Sequence, residues 1–491
     1  MDEFDVCVIG AGFGGATAAA LLAHGGRRVA LLDKTARAGG KAQTTERLGY
    51  RFEMFGAVGI PAFNSRFHEL VERLGVADRV QFVVPQGEAA AVHYKAPEGS
   101  WRSMRAPLIA AGTPQEIANA KRVYGVGDAE LEALGNYYGA LFALDDAALA
   151  ALEDVGMLGW MRQFGLHPAL EAQICMNLNT LFVAPVNRIA ASEAILVLRA
   201  QALGGAGRYH VGGYGRVAEV CAEVVTERGG VFRSKCRATR IVVENGRAVG
   251  VETADGLIRA RAVVSGAGIQ PTVLALAGRE HFPADYVRRV ETLEPSWSIA
   301  GYRYVLDARV FDAGLIPIFS DQSWLDDERF ARMERGEWPD VPLIAIDVAS
   351  EFDPSLVAVP GHQVANCQVF CSADPESTNW REAIRRADEV IRELWPELDR
   401  HVLRKEPYGP KQVSGLSRDS VVPGAGGEAV GLAQVVGQVG RSKPAARTPL
   451  AGLYLVGCDA GGTGSGTHQA VDSGFKVAAM VEADLAALPY P

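Results

Sequence analysis

A strand, a glycine turn, a helix and an acid are packed into the first 33 residues, and this arrangement restricts the chain more than any other. Residues 5–9 (Asp-Val-Cys-Val-Ile) form a short β-branched run that reads as a buried strand, and residues 14–24 are Ala- and Leu-rich with helical character. Between them lies Gly10-Ala11-Gly12-Phe13-Gly14-Gly15. Gly10 permits a tight turn, Gly12 lets a pyrophosphate approach the backbone, and Gly15 lets the helix pack on the strand. Phe13 and Gly14 open the helix, whose free N–H groups and positive dipole end face the phosphates. A second strand, 28–32, ends at Asp33, about 20 residues on, where a ribose hydroxyl partner belongs. In a chain with 55 glycines a bare GxGxxG means little, since about one accidental match is expected. Strand, helix and acid give it meaning, but they do not separate FAD from NAD.

A second glycine-rich segment, Gly457-Cys458-Asp459-Ala460-Gly461-Gly462, lies at the other end of the chain. The two look like halves of one dinucleotide site, and their meeting in space implies a flavin. Residues 466–479 read as a helix, with Gly464, Ser465 and Gly466 leaving the backbone unobstructed at its start. A flavin hydroquinone carries negative charge around N1 and O2, which a helix N-terminus stabilises.

At 491 residues the chain exceeds the size at which one core keeps growing, so two domains are expected. With 48% apolar and 22% charged residues it is not a disordered chain. A net charge of −9 without a long Lys/Arg run argues against a nucleic-acid partner. The seven cysteines have no CxxC spacing and read as reduced thiols of a cytoplasmic protein, with neither a disulfide framework nor a metal site. The chain opens directly on a strand, so no signal peptide is expected. No apolar run reaches about 18 residues, so no transmembrane segment is expected either. The apolar region 141–166 is the candidate for peripheral membrane contact, but acidic residues interrupt it and core packing is the default.

The organisation is discontinuous. Residues 76–205 read as mostly helical, with helical stretches at 145–155 and 157–166. A glycine turn at 209–215 precedes a helix over 216–227, followed by strands at 238–244, 248–253 and 257–265, the first two joined by the hairpin pair Asn245-Gly246. Further on, 298–306, 341–348 and 362–371 read as strands. A helix over 375–395 places Trp380, Ile384, Ala387, Ile391 and Leu394 on one face, a packing stripe. Residues 411–449 are rich in Gly, Pro, Ser and Gln and read as irregular backbone lining a cavity or as a long connection.

Four further segments carry a resemblance: Arg37-Ala38-Gly39-Gly40-Lys41-Ala42, Gly49-Tyr50-Arg51-Phe52-Glu53, Ala238-Thr239-Arg240-Ile241 and Gly452-Leu453-Tyr454-Leu455-Val456-Gly457. With the opening turn, they make the chain resemble the FAD-dependent phytoene desaturase and amine oxidase superfamily, most closely its desaturase and carotenoid isomerase branch. The resemblance implies an α/β fold: a discontinuous Rossmann-type FAD-binding domain (1–75, 206–285, 415–491) with a mixed α+β substrate domain (76–205, 286–414). It implies non-covalent FAD, with the pyrophosphate held by the glycine backbone and basic side chains of Arg37, Gly39, Gly40 and Lys41, and with Lys34 among the cofactor-binding residues. It places the adenine at the backbone of Ala238. The ring then falls near Phe55, Gly56, Gly457, Asp459, Gly466, Thr467 and His468.

The chain departs from the family where Glu53-Met54-Phe55-Gly56-Ala57 puts bulky side chains ahead of the glycine, and where Thr467-His468-Gln469 replaces small residues. More polar surroundings and a smaller substrate follow as expectations. His468 is the sharpest catalytic candidate, as a base beside a carbonyl or a partner of a substrate carboxylate; the alternative is that it caps backbone groups or orients FAD. Tyr302 is weaker; it alternates with Arg303 so that Tyr302 and Tyr304 share one side of a strand. The expected reaction is desaturation of a C–C bond of a hydrophobic or cyclic small molecule, by hydride transfer to flavin N5, with O2 or a quinone as electron acceptor. The alternatives are a double-bond reductase or isomerase, an amine oxidase, and, from another class, a flavin-free binding protein like the Rab GDP-dissociation inhibitors.

Overall fold

Two seven-stranded sheets organise the molecule. The computed structural model describes residues 3–55, 65–85, 87–108, 112–204 and 209–487. The strands begin with β1 (Glu3–Ile9), β2 (Val29–Leu32), β3 (Thr44–Arg47), β4 (Tyr50–Glu53), β5 (Phe82–Val83), β6 (Ala90–Lys95) and β7 (Trp101–Ala106). They continue with β8 (Tyr209–His210), β9 (Val231–Arg233), β10 (Ala238–Glu244), β11 (Arg247–Thr253), β12 (Gly256–Ser265) and β13 (Ser298–Leu306). The last are β14 (Leu315–Ser320), β15 (Ile344–Asp347), β16 (Gln363–Cys371), β17 (Val402–Tyr408) and β18 (Leu453–Leu455).

The first sheet runs β10-β11-β12-β1-β2-β9, with β18 also on β12. Its parallel centre is covered on both faces, so Val6, Cys7 and Val8 are fully buried and the strand reads as a continuous apolar run. β12 is long enough to serve two neighbours. Residues 256–259 pair with β11 and 263–265 with β18, so the distant C-terminal segment enters the sheet one strand away from β1. The opening helix (Phe13–His24) and the C-terminal helix (Gly466–Ala487) pack on each other so closely that a Cβ on Gly474 would lie 2.6 Å from Thr17 Cβ. At the β10–β11 turn, Asn245 and Gly246 take φ of 50° and 72°, as a type I′ hairpin demands.

The second sheet runs β17-β13-β16-β15-β14-β6-β7. Its last two strands correct the expectation that 76–205 is mostly helical. β6 and β7 form a hairpin inside that stretch, and β6 pairs parallel to β14. The Ala- and Lys-containing β6 has little strand propensity of its own, and pairing decides it. The helical stretches at 145–155 and 157–166 shorten to Asp146–Ala150 and Met157–Arg162. The packing stripe is found on the helix Trp380–Leu394, whose Ile384, Ala387 and Ile391 are buried in the core cluster shared with β13 and β16. Truncating a fully buried side chain such as Ile391 to alanine costs about 2–5 kcal/mol. No helix among the described residues is long and apolar enough to cross a membrane.

Candidate functional site

The loops after β1, β2, β12 and β18 converge at one end of the first sheet, where ligands of open α/β sheets bind. Gly10 takes φ of 89°, a value that favours glycine, and its N–H donates to Leu32 O at 2.7 Å. A Cβ on Gly15 would lie 2.0 Å from Gly10 O, so helix and strand approach as closely as backbone allows. Gly39 N–H donates to Ala11 O at 2.8 Å, and a Cβ on Gly40 would sit 3.1 Å from Gly12 Cα. The two terminal segments meet directly: a Cβ on Gly14 would lie 2.9 Å from both Gly457 Cα and Gly457 N.

This cradle suits a pyrophosphate. The opening helix starts at Gly12 without a side-chain cap and without an acid in its first turn, leaving N–H groups and the dipole for an anion. Asp33, 6% exposed, accepts from Ala11 N–H and Thr35 N–H at 2.7 Å each and from the Thr35 hydroxyl at 2.8 Å. Burial raises its pKa and these bonds oppose the rise. Three donors leave one of a carboxylate's roughly four acceptor positions open. Ala238 starts β10 close by, two residues after Cys236, whose N–H donates to Asp33 O at 2.8 Å.

The basic residues divide. Lys34 is ion-paired to Asp419 at 3.0 Å and Arg37 to Glu219 at 2.8 Å, so both are engaged by protein carboxylates. Lys41 turns inward and donates to Glu428 O at 2.9 Å. Burial lowers its pKa, although Glu428 and Asp459 pull it back up. Phe13 is buried, with its ring against Phe67 and Tyr214, so only its backbone is offered to a ligand.

Asp459 is less open than its motif suggests. It accepts from Ile269 N–H at 2.8 Å and Leu432 N–H at 3.1 Å, and it pairs with Arg418. Arg418 also pairs with Glu428 at 2.5 Å, and Glu428 is fully buried. Burial raises the pKa of Asp459, but Arg418, the Ile269 N–H and Lys41 outweigh it and hold the carboxyl below its ordinary value. The cost of Arg418 is visible at Gly268: φ is 93° there, and a Cβ would lie 2.4 Å from the guanidinium. Sequence reasoning missed Arg418 and Glu428. Both lie in the irregular 411–449 stretch, where neither motif nor periodicity marks them.

Gly466, with φ of 55°, opens the C-terminal helix, which has no acid in its first turn. Thr467 is tied to Tyr214 through their hydroxyls at 2.8 Å. The His468 ring packs edge-on against Phe67 with centroids 5.1 Å apart. Burial pushes its pKa down to about 4, so the imidazole is neutral in ordinary buffers. Phe55 is buried against Tyr408; Gly56 lies outside the described residues.

Tyr302 does not join this group, which corrects its candidacy. Its ring packs with Tyr304 and under Lys405 Nζ at 4.0 Å, on the side of β13 covered by the helix Trp380–Leu394; there the Tyr304 hydroxyl donates to Asp388 at 3.0 Å. The period of two sends Arg303 to the opposite face, where Nη1 donates to Met54 O at 3.1 Å and the guanidinium stacks over Phe52 and Tyr408. Alternation was legible in the sequence, but which side faced the site was not.

The family model of flavin containing amine oxidoreductases matches residues 13–288. The chain is similar to prolycopene isomerase 2 of an Oncidium hybrid cultivar, 26% identical over 99% of this chain and 84% of that protein. It is similar to the neurosporene-forming phytoene desaturase of Cereibacter sphaeroides, 28% identical over 55% of this chain and 54% of that one. A crystal structure of an oxidoreductase from Methanosarcina mazei shares the fold with a TM-score of 0.70 at 17% identity, covering 96% of this chain and 99% of that one.

Proposed function

We propose, from the premise that this chain belongs to the family of flavin containing amine oxidoreductases, that it is an FAD-dependent dehydrogenase that desaturates a C–C bond of a hydrophobic or cyclic small molecule. Bound FAD supplies the hydride acceptor. The observation that carries the reading is the convergence of Gly10–Gly15, Gly39–Lys41 and Gly457–Asp459 on one crevice, ending at the acid-free first turn of the C-terminal helix. In this reading the backbone of Gly12 to Gly15 and Lys41 hold the pyrophosphate, Asp33 the ribose and Ala238 the adenine, within a cofactor domain made of 1–75, 206–285 and 415–491. The cofactor is held non-covalently. The N-terminus of the C-terminal helix, fixed by the Thr467–Tyr214 bond, stabilises negative charge at the ring. His468, neutral, is the proton acceptor.

Carbon–carbon chemistry is favoured because two relatives are named prolycopene isomerase and phytoene desaturase. Isomerisation is the second reading, supported by similarity to the isomerase along 99% of the chain. Anaerobic mixing of the yellow holoprotein with cyclic ketones, amines and polyenes, followed by absorption and product analysis, separates the classes. Bleaching of the oxidised flavin band with formation of a desaturated product is expected. Bleaching by amines alone, or conversion only after flavin reduction and without net oxidation, would sink the desaturase reading. In His468→Asn, flavin reduction is expected to slow at least about tenfold, or about 1.4 kcal/mol of barrier, with flavin content unchanged. Loss of flavin instead would make His468 an orienting residue.

A further inference from the structure

The face of the second sheet that meets β4 carries a row of polar side chains. Asp347 on β15, Asn366 on β16, Arg303 on β13 and Glu406 on β17 are successive register partners. Asn366 Nδ2 donates to Glu53 O at 3.1 Å, which sets the amide and leaves Oδ1 as an acceptor. Asp347, Asn366, Glu53 and Tyr209 line a cavity of about 10 Å³, room for one water-sized guest. Two buried oxygens there lack a hydrogen-bond partner, Asp347 Oδ1 and Asn366 Oδ1, on residues 8% and 4% exposed. Two acceptors meeting there need a hydrogen between them, from a proton on one of them or from a donor in the cavity.

The two carboxyls are unequally served. Glu53 accepts from the Tyr209 hydroxyl at 2.6 Å, Tyr214 N–H at 2.8 Å and the Thr44 hydroxyl at 2.9 Å, the set an ionised carboxylate wants. Asp347 has one donor, Gln368 Nε2 at 2.9 Å. We propose that Asp347 is held as a neutral carboxylic acid, its proton turned toward Asn366 Oδ1 and the cavity they share, while Glu53 keeps the negative charge. The result is a one-proton site at the seam between the two sheets. It goes beyond the flavin chemistry and does not depend on it.

Electrostatics agree. Burial, with repulsion from Glu53, pushes Asp347 up to about 8, and burial pushes Glu53 up to about 7 against its three donors. The two carboxyls repel each other and titrate as a pair, and the last proton stays on Asp347, the one with the single donor. Among the described residues, the other groups around it add no free cation. Tyr209 on β8 donates to Glu53, and Asp353 is held by Gly212 N–H at 2.7 Å and Ser355 N–H at 3.0 Å. Glu219 adds further negative charge from the helix Arg216–Glu227, while Arg303 on β13 lies 3.8 Å from Glu406 on β17.

The folded chain therefore holds a proton that the unfolded chain releases. The stabilisation is present at low pH and is lost as pH rises from about 4 through about 8. The test is the thermal midpoint of the full chain between about pH 5 and about pH 9, together with the infrared carbonyl band of a protonated carboxylic acid. Wild type is expected to show that band at neutral pH and to lose several degrees of midpoint toward the alkaline end. Asp347→Asn, a neutral near-isostere that supplies an N–H, should lack the band and flatten the profile. Glu53→Gln should keep the band to higher pH because the repelling charge is gone. Absence of the band in neutral wild type would overturn the proposal, as would a profile of Asp347→Asn that follows wild type.

Discussion

The end of the first sheet and the face of the second are built from opposite materials. The first presents backbone: Gly10, Gly12, Gly15, Gly39 and Gly40 bring chain against chain and leave N–H groups for an anion. The second presents side chains: Asp347, Asn366, Arg303 and Glu406 form a polar row in which Asn366 reaches Glu53, Arg303 reaches Met54, and Asp347 and Asn366 share a small cavity. Backbone sites are made by removing Cβ atoms, so a substitution acts through sterics. Side-chain sites are made by balancing buried charge, so a substitution acts through the partner left behind. The Arg418 cluster, where the two sheets' connections meet, is of the second kind although it borders the first.

The sharpest way to break this comparison is Gly15→Ala, whose Cβ would lie 2.0 Å from Gly10 O. A loss above about 4 kcal/mol is expected, seen in denaturant unfolding and in the absence of flavin from whatever protein folds. Arg418→Ala comes next, leaving Glu428 and Asp459 buried without their cation. Chemical denaturation should show a loss of about 3–5 kcal/mol, and Glu428→Gln in the same chain should recover part of it. A loss that Glu428→Gln does not relieve would show that packing, and not charge, is what Arg418 supplies. Gly12→Ala is gentler, because the nearest atom to its Cβ is Gly40 Cα at 3.9 Å. It should fold normally yet bind FAD about tenfold more weakly by flavin titration, a difference of about 1.4 kcal/mol. Unchanged affinity would show that the phosphates do not approach Gly12. The smallest effect belongs to Tyr302→Phe, since the ring lies on the far face of β13 and its contact with Lys405 does not need the hydroxyl. Stability within about 0.5 kcal/mol of wild type and turnover within about twofold are expected; a large loss of turnover would return Tyr302 to the site.

What could be read in advance followed the same division. The glycine turn and the hairpin Asn245-Gly246 were legible because each rests on a conformation few other residues adopt, and Asp33 was legible from its place at the end of the second strand. The helix Arg216–Glu227 and the strand Ser298–Leu306 were legible from periodicity. β6 and β7 were not, because β6 is decided by β14, far along the chain, and β7 pairs, among the described residues, only with β6. Tyr302 was misplaced for a related reason: alternation tells which residues share a face, and not what covers that face. Lys34 and Arg37 matched their motif, but Asp419 and Glu219, remote in sequence, hold them.

By itself, then, the sequence determined the glycine turn and the acid that follows it. Those depend on local backbone freedom and on short-range patterns that no neighbour can override. Only the tertiary structure decided that Asp459 is shared with Arg418, that Arg303 rather than Tyr302 faces β4, and that Asp347 meets Glu53 across a small cavity. Buried charges take their protonation and partners from whatever the fold packs around them, and that is a property of contacts between residues hundreds of positions apart.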